Sequence, residues 1–163
     1  MVMNNLESAF LHELEDALSA EKQLVHALPR FAKTAGRAEL REAFEEHLEQ
    51  TKHHVELVEK AFDACGRKPS THKCEGMAGI LEEASETASE EGDLQVKDAM
   101  LIAGAQKVEH YEISLYGTLC SWAEMLDNKA ALKPLQTILD EEKATDAKLT
   151  DLARQRVNPE ATG

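Results

Sequence analysis

Five acidic residues stand where an amphipathic helix would place apolar ones, and their spacing points to metal chemistry. Glu21 falls three residues after Leu18 and three before Leu24, so on a helix it points where those leucines point. Glu109 lies between Ile102/Ala105 and Ile113, with Glu112 one turn beyond it. Glu142 and Asp146, four residues apart, share the stripe between Leu139 and Leu149. A further stretch offers a polar set at helical spacing, His47, Gln50, Thr51 and His54, between Phe44 and Val58. Burying one bare carboxylate costs several kcal/mol, and five at one level would repel one another strongly. Lys107 is the nearest cation to these faces. Protonation can neutralise one or two of the acids, but hardly all of them. Two divalent cations bridged by shared carboxylates would use the whole set. Oxygen-rich sites with an imidazole suit iron or manganese; zinc is a weaker fit, because its sites favour nitrogen and sulfur.

A plainer reading competes for each acid taken singly. Glu-x-x-Glu spacing recurs on solvated faces, at Glu39/Glu42, Glu46/Glu49 and Glu83/Glu86. A stripe misjudged by one residue would move any one acid to the surface. The metal reading therefore rests on agreement among acids from three helices. His12, His26, His53, His72 and His110 read as surface or boundary histidines without partner spacing. His47 is either a ligand or a hydrogen-bonded core histidine. Tyr116, one turn after Glu112, either bonds a ligand or is a core tyrosine with its hydroxyl satisfied. No Ser/His/Asp order, nucleotide-type glycine loop or basic aromatic patch stands out.

The elements that must position these residues are helices. Aromatics make up only 4% of the chain, so the core must come from Leu, Ala, Val and Met, a composition that favours helix over sheet. Apolar residues at three-and-four spacing predict helices over about 5–35, 37–64, 94–126 and 129–156, with a shorter one over 75–90. Gly36 reads as the residue just past the first helix, Asp93 as the cap of the long third one, and Asp127-Asn128 as the turn into the last. Pro29 should kink the first helix, Pro134 makes the first turn of the last one irregular or late, and 157–163 reads as a loose tail. Short turns within each pair and a crossover of about 25 residues between pairs describe one all-α domain over 1–163, the ferritin-like variant of the four-helix bundle.

The formal charge of −13 argues against nucleic-acid binding. The N-terminal stretch MVMNNLESAFLHELEDALSAE has neither a basic region nor an uninterrupted apolar run, so no membrane association is expected. Three cysteines, Cys65, Cys74 and Cys120, without a CxxC pair, fit a reducing, cytoplasmic setting.

Several longer stretches carry a family resemblance: SAEKQLVHALPRFAK (19–33), HLEQT (47–51), KCEGMAGILEEA (73–84), DAMLIAGAQKVEHYEISLYGTL (98–119) and LDEEKATDAKLTDLA (139–153). Along almost its whole length the chain resembles the YciE/YciF family of bacterial stress-associated, ferritin-like proteins. That resemblance implies a fold similar to rubrerythrins and ferritins, a homodimer, and metal binding, with two iron ions the leading expectation. It implies ligand roles for Glu21 on the first helix, Glu109 and Glu112 on the third and Glu142 on the fourth, with His54 where the second-helix histidine would lie. The pattern also departs from the family of sites. Ferritin-like di-metal proteins carry Glu-x-x-His on two helices, and this chain has no Glu-x-x-His. Thr51 stands where the bridging glutamate is expected, Gln50 replaces a glutamate, and Thr145 replaces the fourth-helix histidine, with Asp146 next to it as a substitute. The expectation is a di-iron or iron–manganese protein reacting with peroxide or oxygen and served by a separate electron donor. A structural or interaction protein, in which metal only holds the bundle together, is the alternative; iron storage is a weaker third.

Overall fold

The computed structural model describes residues 4–162. Helix α1 spans Leu6–Thr34, α2 Ala38–Ala64, α3 Glu75–Ser89, α4 Leu94–Met125 and α5 Lys129–Leu152. Each begins where the local chemistry allows. Asn5 accepts from the Ser8 N–H at 2.9 Å while the Ser8 hydroxyl accepts from the Asn5 N–H at 3.2 Å, a reciprocal cap that satisfies two end donors of α1. Asp93 caps α4 by accepting from the Gln95 and Val96 N–H groups. Asn128 caps α5 by accepting from Ala131, and the helix starts at Lys129 despite Pro134. The irregular first turn expected there does not occur, because the Asn128 cap organises it. α1 likewise continues as helix through Pro29, which can donate nothing to the carbonyl of Val25.

The turns differ in what makes them. After α2 the chain reverses at Gly66, whose φ of 64° is the left-handed conformation that glycine tolerates best. Gly36 occupies the expected position past α1, but its φ is not left-handed. Asp98 of α4 organises that turn: its two carboxylate oxygens accept from the N–H groups of Gly36 and Arg37, each at 2.8 Å. Asp98 is buried, so Asp98→Ala leaves two N–H groups without partners and should cost about 2–4 kcal/mol. Urea unfolding of the variant measures this; an unchanged midpoint would show that the turn holds without it.

α1 packs on α2 and α4 on α5; the two hairpins close through α2 against α5 and α1 against α4. The crossover between them carries α3, which lies on α4 and α1. This is the all-α, ferritin-like arrangement of two hairpins joined by one long connection. The C-terminus departs from the loose tail expected over 157–163. The chain continues through a π-helical turn, Ala153–Val157, into α6, Asn158–Glu160. Val157 is buried in the core and Glu160 pairs with Arg37, while Pro159 sits in the first turn of α6, where its missing N–H costs nothing. Of that range, residue 163 lies outside the described residues, as do residues 1–3 at the other end of the chain.

The core is divided. One apolar half gathers Leu24, Leu28 and Phe31 with Phe44, Ile102, Val108 and Leu149. The other gathers Leu14 and Leu18 with Val58, Phe62, Leu119, Leu135 and Ile138. Between them lies a polar layer.

Candidate metal centre

The layer consists of Glu21 from α1, His47, Thr51 and His54 from α2, Glu109 and Glu112 from α4, and Glu142 from α5, all buried. Each is carried there by the helical period that buries its apolar neighbours: Leu18 and Leu24 bracket Glu21, and Leu139 and Leu149 bracket Glu142. Donor atoms of His47, Glu109, Glu112 and Glu142 all lie within 4.8 Å of one another, and so do those of Glu21, His54 and Glu142. Glu142 belongs to both groups. The arrangement thus offers two adjacent cation positions sharing one carboxylate.

Hydrogen bonding within the layer is conspicuously incomplete. Nine buried atoms have no hydrogen-bond partner: one oxygen each of Glu21 and Glu109, both oxygens of Glu112 and Glu142, both ring nitrogens of His47, and Nδ1 of His54. Some lie close together without forming a directed bond. His54 Nδ1 is 2.9 Å from Glu142 Oε1 and 3.7 Å from Glu21 Oε2, and His47 Nε2 is 3.2 Å from Glu109 Oε1. Buried polar atoms are rarely left unpaired, and a cluster of them converging on one region is what a cation would satisfy.

Surrounding residues hold the donors in place. The Tyr116 hydroxyl donates to Glu21 Oε1, leaving Oε2 toward the centre. His54 Nε2 is 2.7 Å from Glu141 Oε2, a contact that keeps a proton on Nε2 and makes Nδ1 the nitrogen that a cation would take on displacing its proton. Thr51 uses its hydroxyl on the His47 carbonyl at 2.8 Å, which tethers α2 rather than serving the centre. Gln50 stands outside the donor groups. With Phe44, His47, Glu109, Thr145 and Lys148 it lines a pocket of about 100 Å³ between α2 and α5, large enough for a few water-sized molecules.

Asp146 is not brought into the layer. It is half-buried at the edge of α5 facing α4, where Gln106 Nε2 donates to it at 2.9 Å and His110 lies 3.4 Å away. Spacing put it in the inward stripe with Glu142; it lies instead at the edge of that stripe, and its competing partner on α4 cannot be read from spacing. Glu141 was missed because it is one of three consecutive acids, and nothing in DEEK says which contacts a histidine. Of the histidines read as surface or boundary residues, His12 and His72 lie half-buried at the boundary, and they meet at Asp16, a partner that spacing did not suggest.

Charge in the layer follows from burial and mutual contact. Burial pushes Glu112 well above the ordinary carboxylate range, and the nearby Glu142, Glu21 and Glu109 push it further. Burial raises Glu109 to about 8, with His47 pulling it back, and burial also raises Glu21 against the pull of His54. Burial works against a charge on either histidine, but Glu109 outweighs it for His47, up to about 9, and Glu142 and Glu21 outweigh it for His54, up to about 11. Glu142 is the exception among the acids: burial opposes its charge, yet His54 and Glu109 hold it below the usual range. Without metal, the raised proton affinities of the two histidines, Glu109 and Glu112 therefore keep protons in the layer at neutral pH. A cation must displace them, so affinity should rise with pH and binding at neutral pH should release protons. Calorimetric titration of Mn(II) in two buffers of different ionisation enthalpy checks this; an enthalpy independent of the buffer would contradict it.

Residues 5–162 match the family described as domain of unknown function DUF892. The chain is 46% identical over 162 residues to Protein YciF of Escherichia coli K12, covering 99% of this chain and 98% of the relative. It belongs to the DUF892 family. The crystal structure of the E. coli stress protein YciF superposes with a TM-score of 0.92, covering 96% of this chain and 99% of that one. YcfI of Rhodopseudomonas palustris, for which a structural role has been suggested, is 41% identical with a TM-score of 0.88, covering 91% of this chain and 94% of that one. A two-domain protein of Anabaena variabilis, with DJ-1/ThiJ/PfpI-like and ferritin-like domains, shares 18% identity and a TM-score of 0.62 over 93% of this chain and 38% of its own, which supports the fold alone. The DUF892 chain thus has a ferritin-like fold with a buried carboxylate–histidine layer. Among its described residues no helix is long and apolar enough to cross a membrane.

Proposed function

We propose that this DUF892 protein is a stress-associated di-metal protein, with iron the preferred ion and manganese the alternative, that reacts with peroxide or oxygen. The observation that carries the reading is the pair of buried donor groups with Glu142 in common. Glu21, His54 and Glu142 would hold one ion; His47, Glu109, Glu112 and Glu142 would hold the other. The residues fit such ions: carboxylates dominate, one imidazole serves each group, and the unpaired atoms converge where positive charge is needed. Iron bound there would supply one-electron chemistry toward a small oxidant. Within the chain, Tyr116 orients Glu21, Glu141 fixes the tautomer of His54, and the pocket beside Gln50 admits only small molecules to His47 and Glu109. Two carboxylates with raised proton affinity, Glu109 and Glu112, give the layer groups that can take up or release protons as its charge changes. The assembly is a cytoplasmic homodimer, and electrons come from a separate donor protein. Anaerobic Fe(II) loading followed by oxygen or peroxide addition tests this: the loaded protein should consume oxidant faster than free Fe(II). Consumption no faster than free Fe(II) would remove the redox reading.

A second reading is favoured by α2, which brings His47, Thr51 and His54 into the layer but no carboxylate. Metal would then only hold the bundle together, in keeping with the structural role suggested for the R. palustris relative. It requires metal to raise the melting temperature with no change in any redox rate.

A further inference from the structure

Away from the mid-bundle layer, α1 and the crossover build a different kind of site. His12 and Asp16 lie four residues apart on one face of α1, and His72 reaches them from the stretch between α2 and α3. Donor atoms from these three side chains all lie within 4.8 Å of one another. His72 Nε2 is 3.0 Å from Asp16 Oδ1, whereas His12 Nε2 is 3.9 Å from Asp16 Oδ2, beyond hydrogen-bond reach. The two rings meet edge to face with centroids 5.3 Å apart. A simple His–Asp hydrogen bond explains His72 and leaves His12 unexplained.

The site is also held open and held still. Side-chain exposures of 31% for His12, 20% for Asp16 and 32% for His72 leave room for solvent on one side. Two residues beyond His72, Cys74 is fastened to α1 through its N–H on the Ser19 hydroxyl at 2.8 Å and through its carbonyl on Gln23 at 3.0 Å. Its thiol meets the Tyr111 hydroxyl of α4 at 2.9 Å. The backbone that carries His72 is thereby positioned before any ligand arrives.

We propose that His12, Asp16 and His72 form a second metal site, separate from the mid-bundle layer, that takes a nitrogen-preferring divalent ion of the zinc class and staples the crossover to α1. Two imidazoles and one carboxylate, with a solvent-facing fourth position, match the donor set of open zinc sites. The mid-bundle layer is richer in oxygen, so the two sites sort different metals by donor chemistry. Closing the long connection between the hairpins at a second point restricts the segment between α2 and α3 and slows its local opening.

The test is Zn(II) titration of the chelator-stripped full chain by calorimetry, for wild type, His72→Ala and His12→Gln, with amide hydrogen exchange followed with and without Zn(II). Wild type should bind one equivalent more than His72→Ala, or bind it at least about tenfold more tightly than either variant. Zinc should slow exchange in residues 67–73 of wild type and leave the His72→Ala crossover unchanged. Equal stoichiometry and affinity in all three proteins would overturn the proposal. So would zinc-dependent protection confined to the helices of the mid-bundle layer. The side chain of His12 is partly exposed, and His12→Gln keeps polarity there, so a folding defect in one variant does not remove the comparison. Failure of the mid-bundle reading would show separately, as absence of metal equivalents sensitive to Glu142→Ala.

Discussion

Glu142→Ala should empty both mid-bundle metal positions, whereas Glu21→Ala should empty only one. The asymmetry follows from the sharing of Glu142 between the two donor groups, while Glu21 belongs to one. Glu142 is also the carboxylate held charged by His54 and Glu109, so it is the acid most ready to meet a cation. Loss of a direct ligand should weaken binding by at least about 100-fold, more than is usual for a supporting residue. Elemental analysis after dialysis against equimolar Fe(II) or Mn(II) would then find close to no metal in Glu142→Ala and about half the wild-type content in Glu21→Ala. Circular dichroism confirms that both variants remain helical. Equal metal content in the two variants would mean that the groups do not share a carboxylate ligand.

Glu112→Leu should stabilise the metal-free protein and roughly halve its stabilisation by metal, because Glu112 belongs to only one of the two donor groups. Both Glu112 oxygens are buried without a hydrogen-bond partner, and three carboxylates lie near enough to raise its proton affinity further. Replacing an unpaired buried acid with an apolar side chain of similar volume removes a desolvation penalty. The expected gain is about 1–3 kcal/mol in chelator-treated protein. In wild type, each metal position held at 100 times its dissociation constant should add about 2.7 kcal/mol through mass action; the variant keeps the position beside Glu21 and His54 and forfeits the other. Denaturant unfolding with and without Mn(II) gives both quantities. A variant less stable than wild type in chelator would show that Glu112 is satisfied in the metal-free protein.

The elements were legible because helical periodicity runs through long stretches of this chain, and because Gly66, Asp93 and Asn128 mark turns by their own chemistry. The C-terminal end was misread for a local reason: NPEATG looks like a stop, yet the burial of Val157 and the Arg37–Glu160 pair carry the helix onward. Gly36 stood in the right place for a different cause, since Asp98, 62 residues away, organises the turn. Within the layer, Glu21, His54, Glu109, Glu112 and Glu142 were findable because each interrupts an apolar stripe. Asp146 interrupts one too, but lies on its edge where Gln106 engages it. The His12–Asp16–His72 cluster was out of reach of spacing, because its third member arrives from a loop whose path no helical period predicts.

Anomalous diffraction from crystals grown with Mn(II), or loaded anaerobically with Fe(II), tests the central claim most directly. Two strong peaks are expected in the mid-bundle layer, one beside Glu21 and His54, the other beside His47, Glu109 and Glu112, with Glu142 between them. A layer without peaks, or a single ion that Glu142 does not touch, would contradict it.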